Sequence, residues 1–226
     1  MTRFFGVAVG VVSLVLGAVG VHQAVTARPL DAAGLLLAPA ARGDTLPPSK
    51  VDEIANLLMR DGELVDGGGN AYGRLALHRA IRTSGDERND WALASAAAFE
   101  AALVARPNSP DVWRRLLTAR LLAGGDDADL VRLIDAVLLF EAGEPGSVLL
   151  LGELMVRAPR LFSETALRRL QGMLAKMEAA NDSRLALASM VARLEPELRG
   201  PIIRLMRDET YFTDLVGYFE RKQRHQ

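Results

Sequence analysis

Apolar and polar positions follow a helical period along most of the chain. After Ser49, the residues Val51, Ile54, Ala55 and Leu58 fall at i, i+3, i+4 and i+7, the spacing that lines one helix face. Ser49 with Asp52 reads as a capping box ahead of them, and Gly62 marks the stop. A second helix is predicted from about Asn70 to Ser84-Gly85, with Tyr72, Leu75, Ala76 and Ala80 inward. A third runs from about Asp90 to Arg106, turning Ala92, Ala96, Phe99, Ala102 and Leu103 inward before Pro107-Asn108 closes it. The fourth has Ser109 as its cap and Pro110 at the first helical position, where a missing N–H costs nothing; Gly124-Gly125 ends it. Further helices are expected over 127–141, 145–157, 163–178, 183–194, 196–207 and 210–221. No segment reads as a strand, so residues 50–226 are expected to form one all-α domain.

The amino terminus carries a different pattern. Phe4 to Val21 is an 18-residue run without a charge. At about 1.5 Å per residue it covers roughly 27 Å, close to the hydrocarbon thickness of a bilayer. Within it Gly6, Gly10, Ser13, Gly17 and Gly20 recur at four, three, four and three, which places small residues on one stripe where another backbone can approach closely. Residues 1–27 therefore read as a transmembrane anchor or a signal peptide. The run is long for a signal peptide, yet Val25-Thr26-Ala27 offers a cleavage-like site before Arg28. From 28 to 49 the prolines at 29, 39, 47 and 48 interrupt any long helix, so this stretch reads as a linker. Arg3 faces Arg28 and Arg42 across the run, a weak charge bias, and the very short leader favours an exported body. The expected location is a bacterial inner membrane with one span and a periplasmic body, or the periplasm itself after cleavage.

Composition narrows the chemistry. The net charge is −1, which gives no global electrostatic reason to bind nucleic acid. The absence of cysteine excludes disulfides, thiol catalysis and cysteine metal sites together. Arg outnumbers Lys by 24 to 3, alongside abundant Ala and Leu, a composition typical of GC-rich bacterial genomes.

The predicted helix starts near Pro110 and Pro145, and near Asp127 and Ser163, are about 35 residues apart, the period of a helical-hairpin solenoid. Phe99, Ala102, Leu103 and Pro107, followed by Trp113 and Leu116, and then Ala136 and Leu151-Gly152, reproduce a known spacing. In these residues the chain resembles the tetratricopeptide repeat family. The match runs over about 95–155; Arg120 stands where the family has an aromatic, and from Ser163 onward the register slips. The resemblance implies an α-solenoid whose inner groove is lined by exposed positions of first helices. Those positions are Arg114, Thr118, Leu121 and Leu122 in one repeat and Leu149, Glu153, Val156 and Arg157 in the next. Arginines there suit the carboxylates of an extended peptide, and they equally suit a solvated helix face.

Catalytic patterns are weaker. His22, His78 and His225 are too dispersed for a triad or a metal site. Asp61-Gly62-Glu63 and Asp126-Asp127-Ala128-Asp129 collect acids just ahead of helices, where they cap free N–H groups. Gly67-Gly68-Gly69-Asn70 lacks the Gly-Lys-Ser/Thr of a phosphate loop and reads as a turn with Asn70 as cap. At the carboxyl end Tyr211, Phe212, Leu215, Val216 and Phe219 form an apolar face followed by Arg221-Lys222-Gln223-Arg224-His225; this reads as a terminal helix capping the array, or as a partner-docking or membrane-surface helix.

These features point to a membrane-anchored adaptor or assembly factor for a cell-envelope complex. Its expected partners are proteins, among them another membrane helix or a second copy, with no cofactor, no metal and no evident small-molecule substrate. The rivals are a soluble periplasmic enzyme with an unrecognised carboxylate site and a homo-oligomeric structural membrane protein.

Overall fold

The computed structural model describes residues 47–60, 63–64, 67–140 and 144–224. Apart from one pair of two-residue strands the described elements are helical, and they divide into two compact units, one up to Pro107 and one from Asn108. The glycine seam, most of the linker, His22 and His225 lie outside the described residues. Among those described, no helix is long and apolar enough to cross a membrane.

In the first unit, α1 is Pro48–Leu58, α2 is Gly69–Arg82 and α3 is Gly85–Ala105. Val51, Ile54 and Leu58 of α1 are buried with Leu75 of α2, as their spacing requires. α1 stops at Leu58 and not near Gly62, because the chain next enters a two-residue antiparallel pair, Met59–Arg60 with Glu63–Leu64. Strand pairing has replaced the last helical turn, and the expectation of no strand is corrected to that extent. α2 also begins one residue early. Gly68 holds the N-cap position, so Asn70 lies inside the helix and does not cap it. Gly69 is there for packing: a Cβ would stand 2.7 Å from the Ala98 carbonyl oxygen of α3. α3 starts five residues ahead of Asp90, since Gly85 takes a left-handed φ of 60° and Asp86 and Glu87 then occupy the first turn, where negative charge suits the helix dipole.

The contact between α2 and α3 is the centre of this unit. Ala92, Ala96, Phe99 and Leu103 are buried as predicted, and Ala102 is half-buried. The buried Ser95 hydroxyl donates to the Gly73 carbonyl at 2.8 Å, which satisfies a polar group that the core would otherwise penalise. His78, 9% exposed, sits 3.3 Å from Arg82, whose guanidinium donates to Nδ1. Burial, then the charges of Arg82 and Arg79, lower its pKa, so the ring is held neutral.

The second unit contains α4 (Pro110–Leu122), α5 (Asp127–Phe140), α6 (Pro145–Arg157), a 3-10 turn (Pro159–Leu161), α7 (Glu164–Ala179), α8 (Asn181–Val191), α9 (Pro196–Ile203) and α10 (Glu209–Gln223). Local signals set several of these ends. Past α4, Gly124 has φ 69°, its N–H donates to Leu121 O, and Gly125 N–H donates to Arg120 O at 2.8 Å, the paired bonds of a Schellman stop. Asp126 accepts from the Asp129 N–H, Ser163 from the Ala166 N–H and Asp208 from the Tyr211 N–H, one cap each for α5, α7 and α10. Ser109 stands at the N-cap of α4 without a side-chain capping bond. α4 packs on α5, α6 on α7, α8 and α9, and α10 on α8 and α9. Trp113 of α4 stacks on Phe140 of α5 with ring centroids 5.7 Å apart and planes 6° apart, closing that hairpin.

Candidate functional site

The residues predicted to line a groove fall on α4 and α6. Arg114 and Arg115 share one carboxylate, Asp111, at 2.6 and 2.9 Å. Thr118 donates its hydroxyl to the Arg114 carbonyl of its own helix, while Leu121, Leu122, Leu149 and Val156 are half-buried. The Arg114 guanidinium lies over the first turn of α6, where a Cβ on Gly146 would meet its Nη1 at 2.6 Å and the Met190 methyl of α8 at 3.9 Å. Gly146 is thus a notch reached by the side chains of Arg114 from α4 and Met190 from α8. These helices begin at Pro110, Pro145 and Asn181, 35 and then 36 residues apart.

Ion pairs repeat at a similar interval on the turns. Arg160, in the turn after α6, forks onto Asp127 at the start of α5 with 2.8 and 3.2 Å bonds. That hydrogen bond holds the Asp127 carboxyl below its ordinary value. Arg157, at the end of α6, reaches Glu195 just before α9 at 3.1 Å. The first pair spans 33 residues and the second 38. Both are exposed and screened by solvent, so neither is a stability device. Their value is geometric, because they join alternate helix–helix turns, α4–α5 to α6–α7 and α6–α7 to α8–α9.

Glu153 lies beside the second pair. Burial raises its pKa, the Arg157 guanidinium opposes that shift, and the Glu195 charge reinforces it. With a folded pKa above the unfolded value, the folded protein holds the extra proton, so stability falls as pH rises through the interval above the unfolded value of 4.5. Glu153→Gln is therefore expected to raise the melting temperature at pH 7 by up to about 2 °C and to have no such effect at pH 4. An equal change at both pH values would remove the electrostatic cause.

An open cavity of about 900 Å³ lies elsewhere, between the end of α7 and the starts of α8 and α10. Its polar groups are largely committed to holding helices. Glu178 accepts the backbone N–H groups of Arg207 (2.9 and 3.0 Å) and Asp208 (3.2 Å). Arg184 donates to the Glu178 carbonyl and to Asn181, and lies 4.9 Å over the Tyr211 ring. No spacing in the sequence marks this cluster, since it exists only once α7, α8 and α10 meet. Glu153 and Arg157 do not line it. Among the described residues no group of three or more His, Asp or Glu side chains is placed to hold a metal ion. No protein-family model, curated protein or solved structure matches the chain.

Proposed function

We propose that this chain is a single-pass, membrane-anchored helical-repeat protein that serves as an adaptor or assembly factor for a bacterial cell-envelope complex, with its helical body in the periplasm. The observation that carries the reading is the approach of Arg114 of α4 and Met190 of α8 to Gly146 of α6, three helices that start 35 and 36 residues apart. Helical hairpins repeating at that period present a continuous surface to an extended segment of a partner, as in the tetratricopeptide-like arrangement that the sequence resembles. Half-buried Leu121 and Leu149 supply apolar contact.

A second reading rests on Glu153, whose raised pKa beside Glu195 is what a general acid needs; it makes the body a soluble periplasmic enzyme. One preparation separates the two. The intact protein, extracted from membranes in mild detergent, is expected to have the full-length mass and to carry a stoichiometric protein partner. Leu121→Glu with Leu149→Glu is expected to reduce that partner at least tenfold, while Leu139→Glu, on an exposed position of α5, leaves it in place. A soluble species starting near Arg28, free of partner and with a hydrolytic activity lost in Glu153→Gln, would establish the enzyme instead.

A further inference from the structure

We propose that the outward face of α10 docks on an anionic bilayer surface, an inference that rests on the membrane-anchored reading above. α10 buries Phe212 and Val216, leaving a second stripe at i, i+4, i+7 and i+11: Tyr211, Leu215, Tyr218 and Lys222. Tyr211 is 46% exposed and Tyr218 53%. A tyrosine ring with a hydroxyl tip suits the level of lipid headgroups, where one end is apolar and the other wet.

Charge selects the kind of surface. Arg221 and Lys222 are exposed in the last turn and Arg224 at the C-cap, and none makes an ion pair among the described residues. The acid nearest them in sequence, Glu220, is engaged by Arg199 of α9. Asp208 and Glu209 lie at the far end of α10, roughly 20 Å away at about 1.5 Å per residue. Asp214 flanks the stripe eight residues before Lys222, about 12 Å along the axis, beyond the screening length of about 8 Å at physiological salt. The carboxyl end of the helix therefore presents three cations beside the exposed Tyr218 ring, while Tyr211 stands at the amino end, under Arg184. A bilayer with anionic headgroups takes the cations at its charged surface and the Tyr218 ring at the level of the headgroups. The uncharged run Phe4 to Val21 would hold this weak contact at high local concentration.

The chain has no cysteine, so a nitroxide on Tyr218→Cys reports from one place. The full chain is reconstituted in nanodiscs of phosphatidylcholine alone or with one third phosphatidylglycerol, and collisions of the label with oxygen and with an aqueous nickel complex are compared. The expected result is co-elution with both discs and a several-fold rise in the oxygen-to-nickel ratio in anionic discs only. Arg221→Glu, Lys222→Glu and Arg224→Glu together shift the docked-to-free ratio by about a hundredfold and abolish the rise. Co-elution with both discs and an aqueous label in each overturns the docking of α10 and leaves the anchor standing. Co-elution with anionic discs alone, with the label shielded, supports docking and overturns the anchor. Elution apart from both discs overturns the two together.

Discussion

Phe99→Ala is expected to cost the first unit about 3–5 kcal/mol, a large part of what a small helical unit holds in reserve. Phe99 is 0% exposed and is the one fully buried aromatic among the described residues of that unit. Its ring rests on Gly73 of α2, where a Cβ would lie 2.6 Å from Cε1 and 2.7 Å from Cδ1. Such distances force something to move, and a ring enclosed by α2 and α3 has little room. Gly73→Ala alone is then expected to destabilise by about 1–3 kcal/mol, although Ala is the better helix former by about 1 kcal/mol. Combined with Phe99→Leu, the added methyl fills part of the space the ring leaves, and the alanine becomes neutral or favourable. The two sites are thereby coupled by about 1–3 kcal/mol in a double-mutant cycle. Hydrogen-exchange protection of α2 and α3 amides in urea reads this unit directly, and additive losses would show that ring and glycine do not share the notch.

This pair also shows what the sequence makes legible. The inward assignment of Ala92, Ala96, Phe99 and Leu103 follows from spacing alone, because one helix face must be buried whatever covers it. The same holds for Val51, Ile54 and Leu58 and for the Pro110 start and Gly124 stop of α4, where backbone chemistry is local. Gly69 and Gly73 were not legible as packing residues, since their meaning lies in Ala98 and Phe99, more than twenty positions away. Glycine signals a turn and a close approach with the same letter. Asn70 was misread for that reason: three glycines before it suggested a loop ending in a cap, yet Gly69 already belongs to the helix that α3 crowds.

The candidate site divides in the same way. That Arg114, Glu153 and Arg157 remain partly or wholly exposed follows from the helical period, and their types suggested charge pairing. Their partners did not follow. Arg114 extends over Gly146, and Arg157 takes Glu195 across 38 residues, contacts that depend on how one hairpin rests on the next. Glu178, at the end of α7, holds two backbone N–H groups at the entry to α10, and nothing in its spacing marks that role. Polar residues that bridge turns carry no periodic mark, because one residue suffices for each bridge.

Deleting Tyr211 to Gln226 is expected to abolish cooperative unfolding of the second unit. α10 buries Phe212 and Val216 to 1% and 3% exposure, and packs on α8, whose Leu187 and Val191 are 1% and 0% exposed. Removing large side chains from such a contact forfeits about 1.5–3 kcal/mol each, and uncovering the neighbours adds to that. The sum, on the order of 5 kcal/mol or more, approaches the whole stability of a domain. The deletion also takes away Tyr211, whose N–H occupies Asp208 and whose ring lies under Arg184, so the exit from α9 loses the helix that orders it. Phe212→Ala should reproduce most of the loss, about 3–5 kcal/mol, whereas Tyr218→Ser on the exposed stripe should change stability by less than about 0.5 kcal/mol. Calorimetry of the three variants separates shielding from docking. A truncated chain that kept a sharp second-unit transition would show that α10 does not close the core, leaving its outward stripe and basic turn as the reason for the helix.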